Sequence, residues 1–260
     1  MKPFLRWSAA LSLMGSVMLA GWQAGTQQAF ALTDEQVMER LRPVPVFTIT
    51  DDRGAPLVSA PGQGQGSSVA GVFISQQDAL NFLNTLRQNN PQVAQNVRVV
   101  PVSLAEVYEL ARSSESQNSN LSFSFVPMEQ QVQTARTLLQ QSGENPEQFS
   151  GTPLFVARST AENGGYLSLQ QGDEQVMPMF FKREELQAML DRLQQQQPDL
   201  VNQMTIEVVS LEGVIQTLQE NNDPELTQIL LVPPRETIDY IRSLQSPQGQ
   251  RQQGRQAAPR

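Results

Sequence analysis

Apolar positions along this chain recur with two alternating periods. Residues 44–50 carry Val44, Val46, Phe47 and Ile49, a β-branched and aromatic run that reads as a strand. Asp51, Asp52, Arg53 and Gly54 follow with turn chemistry. Residues 57–59 can return as a second strand and 69–74 as a third. The period then lengthens. Ala79, Phe82, Leu83 and Leu86 recur at helical spacing behind Ser75, a good N-cap, and Asn89-Asn90-Pro91 ends the segment. Residues 97–102 read as a strand, and Ser103 caps a helix through Leu104, Val107, Tyr108 and Ala111. A polar loop is expected at 113–120 and a strand at 121–126. Pro127 then opens a third helix through Val132, Ala135 and Leu139, since proline is tolerated at a first helical position.

The second half repeats this order. Strands are predicted at 152–157, 166–169 (after a Gly164-Gly165 turn), 176–181, 205–209 and 227–232. Helices are predicted over 183–196, from Ser210 and from Pro234. Aligning residues 73–107 with 180–214 without a gap gives nine identities: Phe73/Phe180, Leu83/Leu190, Leu86/Leu193, Gln88/Gln195, Pro91/Pro198, Val102/Val209, Ser103/Ser210, Leu104/Leu211 and Val107/Val214. Phe82/Met189, Val93/Leu200, Val97/Met204 and Val99/Ile206 stay apolar. Upstream, Pro45-Val46-Phe47 matches Pro153-Leu154-Phe155. Downstream, Val126-Pro127 matches Val232-Pro233, and Arg136 matches Arg242.

A repeat of this length is the signature of a doubled unit. The pattern predicts an α/β fold with α+β mixed sheets: two pseudo-symmetric repeats, each a mixed sheet flanked by helices, packed about a pseudo-two-fold axis. The expected divisions are 1–31, 32–142, 143–245 and 246–260. A short helix capped by Thr33 precedes the first repeat. Residues 246–260 are Gln, Gly, Pro and Arg with almost nothing apolar, a composition expected to be disordered.

Charge narrows the function. Lys2 and Arg6 precede a mostly apolar stretch at 8–20, and Ala29-Phe30-Ala31 suits signal-peptide cleavage. The stretch is short of the about 20 residues that span a bilayer. The chain has 18 basic and 26 acidic residues. Losing Lys2 and Arg6 with a cleaved signal leaves a net charge of −10. That disfavours nucleic acid and anionic lipid, and no second apolar stretch approaches spanning length, so stable membrane insertion is not expected. With no cysteine and no histidine, thiol chemistry, the usual zinc ligands and His-based nucleophilic systems are excluded.

The remaining candidate chemistry is sparse. Gly62-Gln63-Gly64-Gln65-Gly66 lacks the Lys-Ser/Thr of a phosphate loop and reads as a flexible connection. Asp51-Asp52, Asp173-Glu174 and Glu184-Glu185 are adjacent carboxylates, whereas acid/base work needs two carboxyls converging from separate positions. No catalytic residue, cofactor or metal is expected. In a strand, Met177, Met179 and Phe181 share one face and Phe180 takes the other. These three, with Met189 and Met204, are the candidate client-binding residues, because thioethers adapt to varied apolar partners. The same side chains could instead fill gaps in a core. Pro178 points to an edge strand, where an extended client could add a strand.

The ordered motifs Val44-Pro45-Val46-Phe47-Thr48-Ile49, Gly71-Val72-Phe73, Val100-Pro101-Val102-Ser103-Leu104, Gly151-Thr152-Pro153-Leu154-Phe155 and Val208-Val209-Ser210-Leu211 resemble the Tic22 family. That family comprises chloroplast import components and their cyanobacterial relatives. The resemblance implies an exported periplasmic factor, with the thylakoid lumen as a second location. It also implies chaperone-like binding of unfolded precursor or outer-membrane proteins, beside an Omp85-type translocase and its POTRA domains, in support of protein transport and outer-membrane biogenesis. Two alternatives stay open: a docking scaffold that binds the translocase without clients, and a carboxylate-dependent enzyme.

Overall fold

A helix α1 (Asp34–Leu41) leads into β1 (Pro45–Asp51), β2 (Val58–Ser59), β3 (Ser68–Phe73), α2 (Gln76–Asn89) and the single turn α3 (Pro91–Ala94). The first half closes with β4 (Val97–Ser103), α4 (Leu104–Ser116), β5 (Leu121–Val126) and α5 (Glu129–Gln141). The second half repeats the order as β6 (Pro153–Ser159), β7 (Leu169–Gln171), β8 (Glu174–Phe180), α6 (Arg183–Gln196), α7 (Pro198–Val201), β9 (Met204–Ser210), α8 (Leu211–Glu220), β10 (Ile229–Val232) and α9 (Arg235–Gln245). This computed structural model describes residues 32–59, 68–117, 119, 121–161, 164–221 and 223–246. The expected signal segment, the glycine loop at 62–66 and the tail beyond Ser246 lie outside the described residues.

Each half forms a five-stranded mixed sheet. β1 runs antiparallel to β4 and β3, and β3 also takes β5 in parallel and β2 antiparallel. The second sheet places β6 against β9 and β8, and β8 against β10 and β7, with the same directions. Parallel pairing needs a crossover of a dozen or more residues. In the first half α2, β4 and α4 supply it. Registers match across the repeat. Pro45 faces Ser103 as Pro153 faces Ser210. Phe47 faces Phe73 as Phe155 faces Phe180. Val126 faces Phe73 as Val232 faces Phe180. The doubling seen in the residues is therefore a doubling of pairing geometry.

Local differences from the sequence reading have physical causes. α4 runs through Ser116, past the expected loop start at 113. Its last turn is polar but carries the Arg112–Glu115 ion pair (3.6 Å) and a buried Ser114. β7 begins at Leu169 rather than 166, because Tyr166 forms only an isolated bridge to Arg158. Pro178 lies in an interior strand, not at an edge. On one side it pairs with Leu230 of β10. On the other, β7 pairing stops at Val176 and β6 pairing is at Phe180. The Phe181 N–H donates to Val232 of the β10 strand. By alternation the Pro178 nitrogen faces the gap between the β7 and β6 pairings, where no donor is required. The equivalent position in the first half is Gly71.

The sheets share one core. Val46, Val72 and Ile74 join Leu154, Met177, Met179 and Phe181 in a central cluster with α1, α4 and α8. The opposite faces carry separate clusters. Phe47, Ile49 and Phe73 pack with Ala79 and Leu83 of α2. Phe155, Ala157 and Phe180 pack with Leu186 and Leu190 of α6. The third helix of each half crosses over. Ala135 of α5 sits in the second-half cluster, and Tyr240 of α9 packs on the first-half one, its ring 5.8 Å from Phe47.

Candidate functional site

The crossed helices shape the outer surface. α6 starts at Arg183 behind Lys182, which makes no side-chain cap. The cap comes from α5 instead: Gln131 Oε1 accepts the Arg183 N–H at 3.1 Å, and its Nε2 donates to Glu184 at 2.9 Å. Glu185 on α6 in turn accepts the first N–H of α9, from Arg235, at 3.0 Å. A carboxylate at a helix N-terminus is favoured by the helix dipole as well as by the bond. The three helix starts are thus held together by side chains from one another.

Beside this junction α6, α9 and the sheet line a cavity of about 490 Å³. Phe180 and Val232 line it from the sheet. Met189 from α6 and Ile238 from α9 line it from the helices, both half-buried. Arg192, Arg235 and Arg242 stand around it with Glu185 and Asp239. Arg242 lies 3.6 Å from Asp239, and Arg192 Nε donates to the Ala188 carbonyl at 2.9 Å. Apolar surface facing a wet, charged rim is the usual form of a recognition site.

The equivalent place in the first half is built from α2. Phe82 occupies the Met189 position, is 47% exposed, and sits with its ring 5.5 Å from Phe73. Asp78 occupies the Glu185 position. Burial pushes its carboxyl up, a hydrogen bond from Ser75 opposes this, and the charge of Glu129 adds to the rise. Burial also raises the Tyr108 hydroxyl, which donates to Asp34 at 2.9 Å on a second open cavity, between α1 and α4.

The five candidate client-binding residues separate by position. Met177, Met179 and Phe181 are 9%, 4% and 1% exposed and fill the central core. Met204 is half-buried against the outer cluster of the second half. Met189 alone of the five lines the α6–α9 cavity. Three of the adjacent carboxylates serve turns and helix starts: Asp51 accepts the Arg53 and Ala55 N–H groups, while Glu184 and Glu185 reach different helices. Phe82 and the arginines were absent from the candidates. The signal for Phe82 was present, because the repeat register pairs it with Met189.

Residues 4–245 match the Tic22-like family. The chain belongs to that family. Among solved structures it is similar to Anabaena Tic22, a protein-transport protein, with a TM-score of 0.71 and 32% identity over 83% of this chain and 99% of that one. Tic22 from Plasmodium falciparum shares the fold, with a TM-score of 0.61 and 21% identity over 80% of this chain and 97% of its own. The chloroplastic TIC 22-like protein of Arabidopsis thaliana is 25% identical over 207 residues, and the match spans 78% of this chain and 62% of that protein. The chloroplastic TIC 22 of Pisum sativum is 23% identical over 212 residues, spanning 80% and 77%. Among the described residues of this Tic22-family chain, no helix is long and apolar enough to cross a membrane.

Proposed function

We propose that this protein acts in protein transport, holding extended apolar segments of unfolded precursor or outer-membrane proteins on its outer surface without chemistry of its own. The observation that carries the reading is the pair of repeat-related apolar positions left uncovered outside the two sheets. Met189 lines an open cavity over Phe180, and Phe82 is half-exposed over Phe73. Covering a half-exposed phenylalanine is worth about 1 kcal/mol, so several such contacts give weak, reversible capture. Thioether and ring surfaces tolerate varied sequences, as a carrier of many clients requires. Family membership and the transport role of Anabaena Tic22 support the same reading. The compartment that suits it is the periplasm, beside an Omp85-type translocase and its POTRA domains.

The test is suppression of aggregation of a urea-unfolded outer-membrane protein on dilution. The wild-type protein should suppress it at a several-fold excess, and the Phe82→Gln/Met189→Gln variant should suppress it poorly while melting at the same temperature. A protein that captures isolated POTRA domains yet leaves aggregation unchanged is a docking scaffold, and the client-binding reading then fails.

A further inference from the structure

The two repeat-related sites differ in charge. In the second half, Arg192, Arg235 and Arg242 surround the α6–α9 cavity against Glu185 and Asp239, an excess of one positive charge. In the repeat register the first half has Thr85, Glu129 and Arg136 at those arginine positions, and Asp78 and Gln133 at the carboxylate positions, an excess of one negative charge. Doubling thus left two sites of opposite sign on a protein with more acidic than basic residues. Two guanidiniums of the basic site have no ion pair among the described residues. Arg192 bonds only a carbonyl of its own helix, and at Arg235 only the backbone N–H is engaged, by Glu185. The Glu185 carboxylate accepts that N–H and forms no ion pair with either guanidinium among the described residues, so the rim keeps its one-charge positive excess.

We infer that the α6–α9 cavity selects anionic apolar segments, meaning extended client stretches in which carboxylates flank aliphatic or aromatic side chains. This rests on the client-binding reading above. The apolar side chains lie on Met189, Ile238 and Phe180, and the carboxylates meet Arg192 and Arg235. A guanidinium presents a planar fork of donors that matches a carboxylate, and its stem can lie along apolar surface. Charge disfavours the chain's own terminal segments as occupants of the cavity. The stretch after Ser246 carries Arg251, Arg255 and Arg260 and no acidic residue, and the N-terminal segment begins with Lys2 and Arg6. Like charge repels both.

Three labelled extended peptides test the inference by fluorescence anisotropy. They share the same Leu and Phe positions and carry Glu, Gln or Lys between them. The Glu peptide should bind tightest to the intact protein and the Lys peptide weakest. An exposed charge pair is worth about threefold in affinity. Arg192→Gln/Arg235→Gln should therefore weaken the Glu peptide about tenfold, leave the Gln peptide nearly unchanged, and remove the salt dependence of the difference. Both arginines are exposed, so an unchanged melting temperature shows the variant is folded. Thr85→Arg/Glu129→Arg should strengthen the Glu peptide by turning the first-half excess from one negative to two positive charges. Equal affinity for all three peptides overturns the charge selectivity and leaves client binding standing. No binding of any peptide removes the reading beneath it. Arginine-dependent binding of anionic lipid vesicles without binding of the Glu peptide makes the cavity a headgroup site and also overturns the inference.

Discussion

Replacing Gln131 should destabilise a helix that belongs to the other half of the sequence. Gln131 is 2% exposed, and its amide accepts the Arg183 N–H at 3.1 Å and donates to Glu184 at 2.9 Å. Gln131→Ala removes the N-cap of α6, worth about 1 kcal/mol. It also removes the charge-assisted bond to Glu184, adding about 1–2 kcal/mol. The total of about 2–3 kcal/mol should lower the melting temperature by about 5–10 °C for a protein of this size. The repeat supplies a control. Thr237 holds the same place on α9, is 1% exposed, and its hydroxyl has no hydrogen-bond partner among the described residues. Thr237→Val should therefore be neutral or stabilising by up to about 1 kcal/mol, because an unsatisfied buried hydroxyl is removed. A rescue completes the set. α2 is capped locally by Ser75, at the position Lys182 holds in the second half. Lys182→Ser in the Gln131→Ala background should restore about 1 kcal/mol. Chemical and thermal unfolding measure all three. If Gln131→Ala costs under about 0.5 kcal/mol, or no more than Thr237→Val, the cap is not formed across the repeat and the reasoning is wrong.

Four further outcomes follow from the packing. Met179→Ala should cost about 2–5 kcal/mol of stability, whereas Met189→Ala should cost under about 1 kcal/mol and act on client binding instead; the same size of loss at both sites would contradict their burial. Phe47→Leu and Tyr240→Ala should couple by about 0.5–1.5 kcal/mol in a double-mutant cycle, and strict additivity would show that α9 does not lie on the first sheet in solution. Gly151 has φ 95°, and a side chain there would meet the Glu212 carboxylate that accepts the Thr152 N–H at 2.9 Å; Gly151→Ala should cost about 1–2 kcal/mol in unfolding experiments. Because the Asp78 carboxyl is pushed up in the fold, its contribution to stability is present at acid pH and is lost as pH rises through the raised value. Asp78→Asn should remove that loss, so the stability of the variant relative to wild type should rise across the carboxylate range, and Glu129→Gln should reduce it. A flat difference between Asp78→Asn and wild type over that range would refute the assignment.

Much of the site was legible piecewise. The strand period put Met177, Met179 and Phe181 on one face and Phe180 on the other, and the structure assigns them to two different clusters in that way. Which face was wet could not be read, because both faces of the sheet are covered. Residues buried on both sides carry no polar alternation to mark an outside. The arginines around the α6–α9 cavity come from two helices separated by more than thirty residues, and charged residues on a helix surface look alike whether they face open water or a cavity. The polar last turn of α4 read as loop for a related reason: its ion pair and buried Ser114 are side-chain contacts that apolar periodicity does not report.

By itself the sequence determined the doubling, the order of strands and helices and most helix starts, because each depends on local period, caps and repeated register. The exchange of α5 and α9 between halves was decided only in three dimensions. A helix with one apolar stripe specifies that it must be covered, not by which sheet, and in a doubled chain the two sheets offer nearly the same surface. The interior place of Pro178 was decided in the same way, since whether a missing N–H matters depends on whether a neighbour lies opposite it. So was the fate of the methionines: a thioether fills a core and lines a cavity equally well, and the surrounding helices settled which of the two each one does.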